Sequence, residues 1–534
     1  MKNITPFILS LTITFNFISQ TIPFNYDVKI IPKTIPNFPG VHSFAHGQSN
    51  GKWVIIGGRR DGLHARQPNS SFPASNNNTD IFVIDPLTDQ FWSAPLNSLP
   101  ISIAEQLQST NLNFHQEADT LYIIGGYAYS STALDHITFP NLTSVSVSGL
   151  INSIINSSPI TPYFKQITDQ KFAVTGGHLA EIDNVYYLVG GQRFDGRYNP
   201  MGNPTYIQTY VDGIRKFSID NSGSQLSYSN YSETTDQVNL HRRDYNLVPQ
   251  IFPNGEEGFM ISSGVFQVGI NLPFLYPVEI RSSGHTPIPS FNQYLSNYHS
   301  PTIGLYDGIS NTMHSLFFGG MSQYYYSNGQ LIQDNAVPFV KTISRVSRDL
   351  NGVLQEVVFP NELPALLGAG GEFISNQLIS SSSNDVILLA SITTDSVKIG
   401  YLVGGIFSTQ LNPFASNTTS VTSASNGIFE VWLKKNQGAA EIIVDGSNPF
   451  EVTIFPNPTK KEVHIKINQP FTKNLQLLVT NLEGRIVYTK DYSSNENQEF
   501  ILNSDEEGLT EGVYNFNFVF DGKFSHMEKV VILK

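Results

Sequence analysis

Seven of the twelve arginines in this 534-residue chain fall into three short clusters. These are Arg59, Arg60 and Arg66; Arg193 and Arg197; and Arg242 and Arg243. Asp61, Asp195 and Asp244 stand beside them, and His42, His64, His178, His241 and His299 occupy comparable stretches of the sequence. A guanidinium donates two parallel hydrogen bonds from a planar fork, so converging arginines suit a carboxylate, sulfate or phosphate. The same local patterns permit a second outcome, in which each Arg is neutralised by a neighbouring Asp and only ties loops together. General acid–base work beside such arginines needs a carboxylate or imidazole, and Glu105, Glu372, His178 and Asp244 are the candidates by position.

Other chemistries are excluded by absence. There is no Cys, which removes disulfides, thiolate metal sites and thiol catalysis together. No His-Glu-x-x-His zinc motif and no twelve-residue calcium loop occurs. No metal and no cofactor is therefore expected. Gly47-Gln48-Ser49-Asn50-Gly51 fits the nucleophile-elbow pattern, but an elbow turns from a strand into a helix. Here the strand Trp53 to Ile56 follows, so the pattern reads as a hairpin turn.

The elements that must position these groups are strands. Between about residues 25 and 440 an apolar run ending in a Gly pair recurs: Trp53 to Gly58, Leu121 to Gly126, Tyr187 to Gly191, Leu316 to Gly320 and Tyr401 to Gly405. Phe259-Met260-Ile261-Ser262-Ser263-Gly264 is a degenerate sixth copy. Runs of β-branched and aromatic residues read as strands buried on both faces. A Gly pair permits positive φ or close backbone approach. No helical periodicity separates the copies, and repetition over tens of residues signals a solenoid or a propeller. In the sixth copy, Asp385 to Ala390 and Lys398 to Gly405 compete for one strand position, and that register stays open. Asp27 to Ile31 alternates as an outer strand should, and is expected to close the ring beside Ile428 to Leu433. Asn76-Asn77-Asn78 reads as a solvated loop tip.

This repeat resembles the kelch family, which implies an all-β fold: a six-bladed kelch-like β-propeller over 25–440. In that architecture the loop after each Gly pair and the entry to each innermost strand meet on one face of the ring. The resemblance thus nominates Arg59, Arg60, Asp61, His178, Arg193, Asp195, Arg197, His241, Arg242, Arg243, Asp244 and His299 as ligand-binding residues at an Arg-rich channel mouth. The copper radical chemistry found in some kelch proteins needs a Cys joined to Tyr and is excluded. Exported bacterial kelch propellers also include mutarotases of sialic acid, whose substrate is an anionic sugar.

The C-terminal stretch reads as an address. Phe455-Pro456-Asn457-Pro458, Asn481 to Val487 and Leu509 to Tyr514 closely resemble the C-terminal sorting domain of the type IX secretion system of Bacteroidetes. The resemblance implies a small immunoglobulin-like β-sandwich over 449–534, a partnership with the secretion machinery, and work at the outer surface or outside the cell. Residues 1–20 read as a signal peptide, too short and polar-spotted for a stable membrane span, so no integral membrane protein is expected. Hydrophobic residues at 40% and charged ones at 14% suit a β-rich globular chain, and the net charge of -13 argues against nucleic acid. The leading expectation is a secreted or cell-surface propeller binding an anionic small molecule or glycan. An epimerase, mutarotase or lyase on an acidic sugar is the second, and a protein-interaction or adhesion scaffold the third, so enzymatic activity stays undecided.

Overall fold

The computed structural model describes residues 22–533 apart from 68, 203, 328–329, 437–441, 445–451, 468–473, 482–484, 494–497 and 521–523. The expected signal peptide, most of the linker after Asn436 and residues 482–484 of the sorting motif lie outside the described residues.

The fold is all-β, built from small antiparallel sheets. The first sheet runs Ala45–Ser49, Lys52–Ile56, Asp80–Asp85, Gln90–Pro95 in spatial order. The second runs Asn113–Glu117, Thr120–Ile124, Asn141–Ser146, Phe164–Thr168. The third is His178–Ile182, Val185–Val189, Gly213–Asp220, Ser227–Thr235, and the fourth Asn246–Ile251, Glu257–Ser262, Val278–Arg281, Gly284–Pro287. The fifth is built on Thr302–Asp307, Thr312–Phe318, Thr342–Arg348 and Leu354–Glu362. The sixth joins Leu366–Ser375, Ser396–Ser408 and Ile428–Lys435 to the distant Tyr26–Lys33. Tyr26–Lys33 pairs antiparallel with Ile428–Lys435, Val28 opposite Leu433 and Ile30 opposite Val431, as the sequence pattern requires. The open register resolves in favour of Ser396–Ser408, while Ile387–Leu388 adds a short parallel pairing to Thr302–Asp307.

Each sheet packs its face on the next. Val54 and Ile56 of the first share a core with Leu121 and Ile123 of the second. Ile124 meets Leu188 of the third, and Val189 meets Ile261 of the fourth. Met260 meets Phe317 of the fifth, and Phe318 meets Leu402 of the sixth. The sixth then returns to the first through Tyr401 and Trp53. Such strands are covered on both sides, so Val54, Ile55 and Ile56 expose nothing. Deleting a side chain of that kind to Ala typically costs about 2–5 kcal/mol.

The Gly pairs supply the joints. The second Gly of each pair donates its amide to a carbonyl in the turn that enters the next sheet: Gly58 to Ser109, Gly126 to Val174, Gly191 to Arg242, Gly320 to Leu367 and Gly405 to Val41, all at 2.8–3.0 Å. The degenerate copy does the same, Gly264 donating to Asn297 at 3.0 Å. There Ser263 takes the first position at φ 59°, and its hydroxyl donates to the buried carbonyl of Phe274 at 2.6 Å. That bond gives a non-Gly residue a local reason to hold a left-handed backbone.

Outside this cycle, Tyr127–Ser130, Asp135–Thr138, Gln192–Asp195 and Ile207–Tyr210 form a further four-stranded sheet from the loops after the second and third Gly pairs. It accounts for the long spacing between those repeats. The C-terminal unit has a three-stranded and a four-stranded sheet sharing one core, with Val463 and Ile465 facing Leu477, Phe516 and Phe518.

A Cβ on Gly125 would sit 1.8 Å from the Val174 carbonyl oxygen, whereas one on Gly255, also at positive φ, meets nothing within 4 Å. Gly255→Ala is expected to cost only the left-handed backbone penalty of about 1–2 kcal/mol. Gly125→Ala must also displace the neighbouring sheet and should exceed about 4 kcal/mol. Urea unfolding of the two variants measures the difference, and equal losses would remove the steric role assigned to the joint.

Candidate functional site

Two cavities, here called upper and lower, are lined by the turns that enter the first strands of the six sheets and by those strands themselves. The upper cavity, about 140 Å³, is built from the turns that enter these strands. They supply His42 and Ser43, Thr110 and Asn111, Thr175, Arg243 and Asp244, Tyr298 and His299, and Ala369 and Gly370. The residue just after each Gly pair joins them in five cases: Arg59, Tyr127, Gln192, Met321 and Ile406. Backbone bridges hold the two sets in register, as between His42 and Arg59, Thr110 and Tyr127, Thr175 and Gln192, and Arg243 and Val265. Longer loops close the cavity with His64, Phe72, Phe194, Tyr198, Phe266 and Phe414. Rings pack edge to face across this wall, Phe72 on Tyr127 at 5.3 Å and Phe194 on Tyr198 at 5.4 Å. The site is a polar floor under an aromatic wall.

The nominated residues separate into three groups. Arg59, Arg243, Asp244 and His299 line the upper cavity. Arg59 is only 2% exposed and saturated: Nε and Nη2 donate to Asp61 at 2.8 and 2.6 Å, and Nη1 donates to Asn77 at 2.9 Å. Asp61 is thereby held ionised well below the usual carboxylate range, because His42 and Arg59 outweigh the effect of burial. Arg243 differs. Nη1 donates to the carboxylate of Asp244 and Nε to the Tyr210 hydroxyl at 3.2 Å, while Nη2 has no partner among the described residues. Burial works against its charge, but Asp244 and the phenols of Tyr210 and Tyr298 raise its pKa further.

A second group lies away from the opening, which corrects the expected convergence of seven arginines. Arg60 is exposed and lies over the Phe82 ring at 5.7 Å. On the short strand Gln192–Asp195, alternation turns Gln192 and Phe194 into the cavity and leaves Arg193 and Asp195 paired with each other at 2.9 Å outside it. Arg197 donates to the carbonyl of Ser71 at 2.7 Å. Arg242 is fully buried under Phe274 and Tyr276, donates to the carbonyls of Asn239, Ser263 and Tyr276, and is held down to about 10 by burial. Arg66 donates to the Phe414 carbonyl at 2.9 Å and lies over its ring at 4.7 Å. His241 pairs with Asp212 at 2.6 Å and stacks on Tyr210 at 3.7 Å. Of the acid–base candidates, Glu105 accepts from Ser130, Ser131 and the Thr132 amide and does not reach the channel. The run Asn76 to Asn78 is no solvated tip either, since Asn78 is fully buried and donates to the carbonyls of Gly57 and Asp80.

The third group lies deeper. His299 lines both the upper cavity and a lower one of about 480 Å³, which His46, His115, His178, Glu117, Glu372 and Asp385 also line. His299 Nε2 lies 3.1 Å from Glu372 Oε1, and its ring packs edge-on to His178 at 5.1 Å. Burial would discharge His299, but Glu372 more than offsets it and raises its pKa. Glu372 in turn is lowered by His299 against its own burial. His178 forms no ion pair among the described residues; burial holds it at about 4, and Nε2 sits 2.7 Å from the Tyr245 carbonyl oxygen. Sequence reasoning by charge missed Tyr127, Gln192, Thr110, Asn111 and Thr175. Their signal was position alone, immediately after a Gly pair or just before an inner strand.

Comparison with known proteins bears on the far end of the chain. Residues 453–533 match the family model for a secretion system C-terminal sorting domain. The chain is cargo of type IX secretion, exported to the cell surface or the extracellular space. No helix among the described residues is long and apolar enough to cross a membrane. One similar solved structure is "Structure of YjhT", at 12% identity and a TM-score of 0.40, covering 76% of this chain and 98% of that one. No curated protein matches the chain.

The His299–Glu372 pair sets a pH dependence. A raised His pKa contributes stability that is complete below about 6.5 and is lost as pH rises through the folded value; a lowered Glu pKa contributes above about 4.3 and is lost as pH falls. The pair therefore stabilises most between these limits and somewhat above the upper one. Glu372→Gln should lower the His299 pKa, read from its imidazole resonances by NMR, and flatten the stability change above pH 6.5. An unchanged His299 titration would mean that the carboxylate does not hold the proton.

Proposed function

We propose that the cycle of sheets is a six-bladed β-propeller of the kelch type with an immunoglobulin-like sorting domain behind it. The exported protein binds an acidic, glycan-derived small molecule in the upper cavity. The observation that carries this reading is Arg243: a fully charged guanidinium on the cavity floor with one terminal nitrogen unengaged. A carboxylate on the ligand is the natural partner for it, and a charge-assisted hydrogen bond of this kind contributes about 1.5–3 kcal/mol. Asn111, Thr110, Thr175 and Ser43 offer donors and acceptors for hydroxyl groups beside it. The aromatic wall suits the apolar face of a ring, and a concave apolar site with a few convergent polar groups is the usual form of a small-molecule pocket.

A second reading, an enzyme such as an epimerase, mutarotase or lyase on the same ligand class, is favoured by one feature. His299 reaches the upper cavity while Glu372 keeps its proton in place towards neutral pH, which is the state a general acid requires.

Binding by the full chain separates these roles. Arg243→Ala should weaken acidic monosaccharides by about 10–100-fold in titration calorimetry and leave neutral ones unchanged. Arg193→Ala, outside the cavity, should change neither. Equal loss for acidic and neutral sugars would show that Arg243 acts through the fold and would end the carboxylate assignment.

A further inference from the structure

The lower end of the channel carries a second arrangement, independent of the ligand reading above. His115 and Glu117 are two residues apart on the inner strand of the second sheet, so both project from one face. Glu181 comes from the inner strand of the third sheet. One ligand atom from each of the three lies within 4.8 Å of the other two. His115 Nε2 is buried and makes no hydrogen bond. We propose that His115, Glu117 and Glu181 bind a divalent first-row transition metal ion, Zn²⁺ in the first instance.

The surrounding structure orients all three. Gln116, on the opposite face of the same strand, clamps it to the first sheet: its side-chain oxygen accepts from the Gln48 amide at 2.7 Å and its nitrogen donates to the Gln48 carbonyl at 2.8 Å. The imidazole of His115 rests edge-on to Tyr186 at 6.2 Å. Glu181 Oε1 accepts from the Asn184 amide in the hairpin turn after its strand, which leaves Oε2 for a ligand. Zinc bonds to imidazole and carboxylate near 2 Å put neighbouring donors roughly 3.3 Å apart. Binding requires side-chain rotation that draws the three donors from within 4.8 Å of one another to that spacing.

The chemistry asks for a cation there. Glu117, Glu181 and Asp385 bring three carboxylates to this end. Among the described residues, no Lys or Arg forms an ion pair with any of these carboxylates. One nitrogen and two oxygen donors match borderline ions better than Ca²⁺ or Mg²⁺, which prefer all-oxygen shells. The absence of a metal motif in the sequence is no guide, because the donors come from two strands of different sheets.

The test uses the full chain, purified without a histidine tag and titrated with ZnCl₂ in a calorimeter at pH 7.5. The expected result is stoichiometric binding with a micromolar Kd, a rise in melting temperature, and no displacement by millimolar Ca²⁺ or Mg²⁺. His115→Ala should abolish binding and Glu117→Gln weaken it by about tenfold or more. Glu117 is exposed, so its variant decides the matter if His115→Ala fails to fold. Arg243→Ala should bind Zn²⁺ as the parent does, whatever it does to sugars. Absence of stoichiometric binding, affinity equal to the parent's in Glu117→Gln and Glu181→Gln, or displacement by Ca²⁺ would overturn the site.

Discussion

The architecture depends on one repeated contact, the hydrogen bond from the second residue of each Gly pair to a carbonyl of the following sheet's entry turn. It recurs around the whole cycle and comes back from Gly405 to Val41. Each such amide must approach a foreign backbone to 2.8–3.0 Å, and the position before it must take a positive φ. In the five Gly pairs a Cβ at that position would fall 1.8–2.7 Å from a neighbouring atom, a limit of contact distance and not of polarity, which is why Gly recurs and only Ser263 stands in for it. The chain has no Cys to reinforce the closure. Closing the ring therefore falls to these bonds, to the face-to-face cores and to the pairing of Tyr26–Lys33 with Ile428–Lys435. Pairing the first strand of the cycle with its last removes a free sheet edge that would otherwise recruit other chains.

The same contact determines where chemistry can occur. Because it ties the end of one strand to the entry turn of the next sheet, both segments are drawn to a single opening. A residue there has little freedom, which is the requirement for preorganised binding. The cavity floor consequently mixes groups of every type. Charged groups at that depth persist only when paired, so Arg59 is consumed by Asp61, and Arg243 is half consumed by Asp244. The half that is left is the basis of the proposed ligand chemistry.

The Gly pairs and the buried strands before them were legible because both are short-range: a run of four apolar residues and a backbone conformation are written locally. The closing strand was legible from its alternation, and the sorting domain from its motifs. The arginines were not, because their direction depends on parity within a short strand or turn. Arg242 and Arg243 are adjacent, yet one lies under Phe274 and Tyr276 in the core and the other faces the channel. Gln192 and Arg193 divide in the same way, and only the sheet formed by the loops after the second and third Gly pairs decides which of the two turns inward. Ser263 was opaque for a different reason: the bond that lets it replace Gly runs to Phe274, on a loop whose path the sequence does not declare.

The two ends of the channel carry opposite electrostatic problems, and their separation follows from strand direction. At the upper end Asp61 and Asp244 sit beside guanidinium groups, so the free valence there is a hydrogen-bond donor. At the lower end Glu117, Glu181 and Asp385 gather without such partners, so the free valence is an acceptor. His299 and Glu372 stand between them as a pair, each holding the other charged. The proposed ligand carboxylate and the proposed cation thus address opposite free valences, a donor above and acceptors below, in a protein whose overall charge is strongly negative.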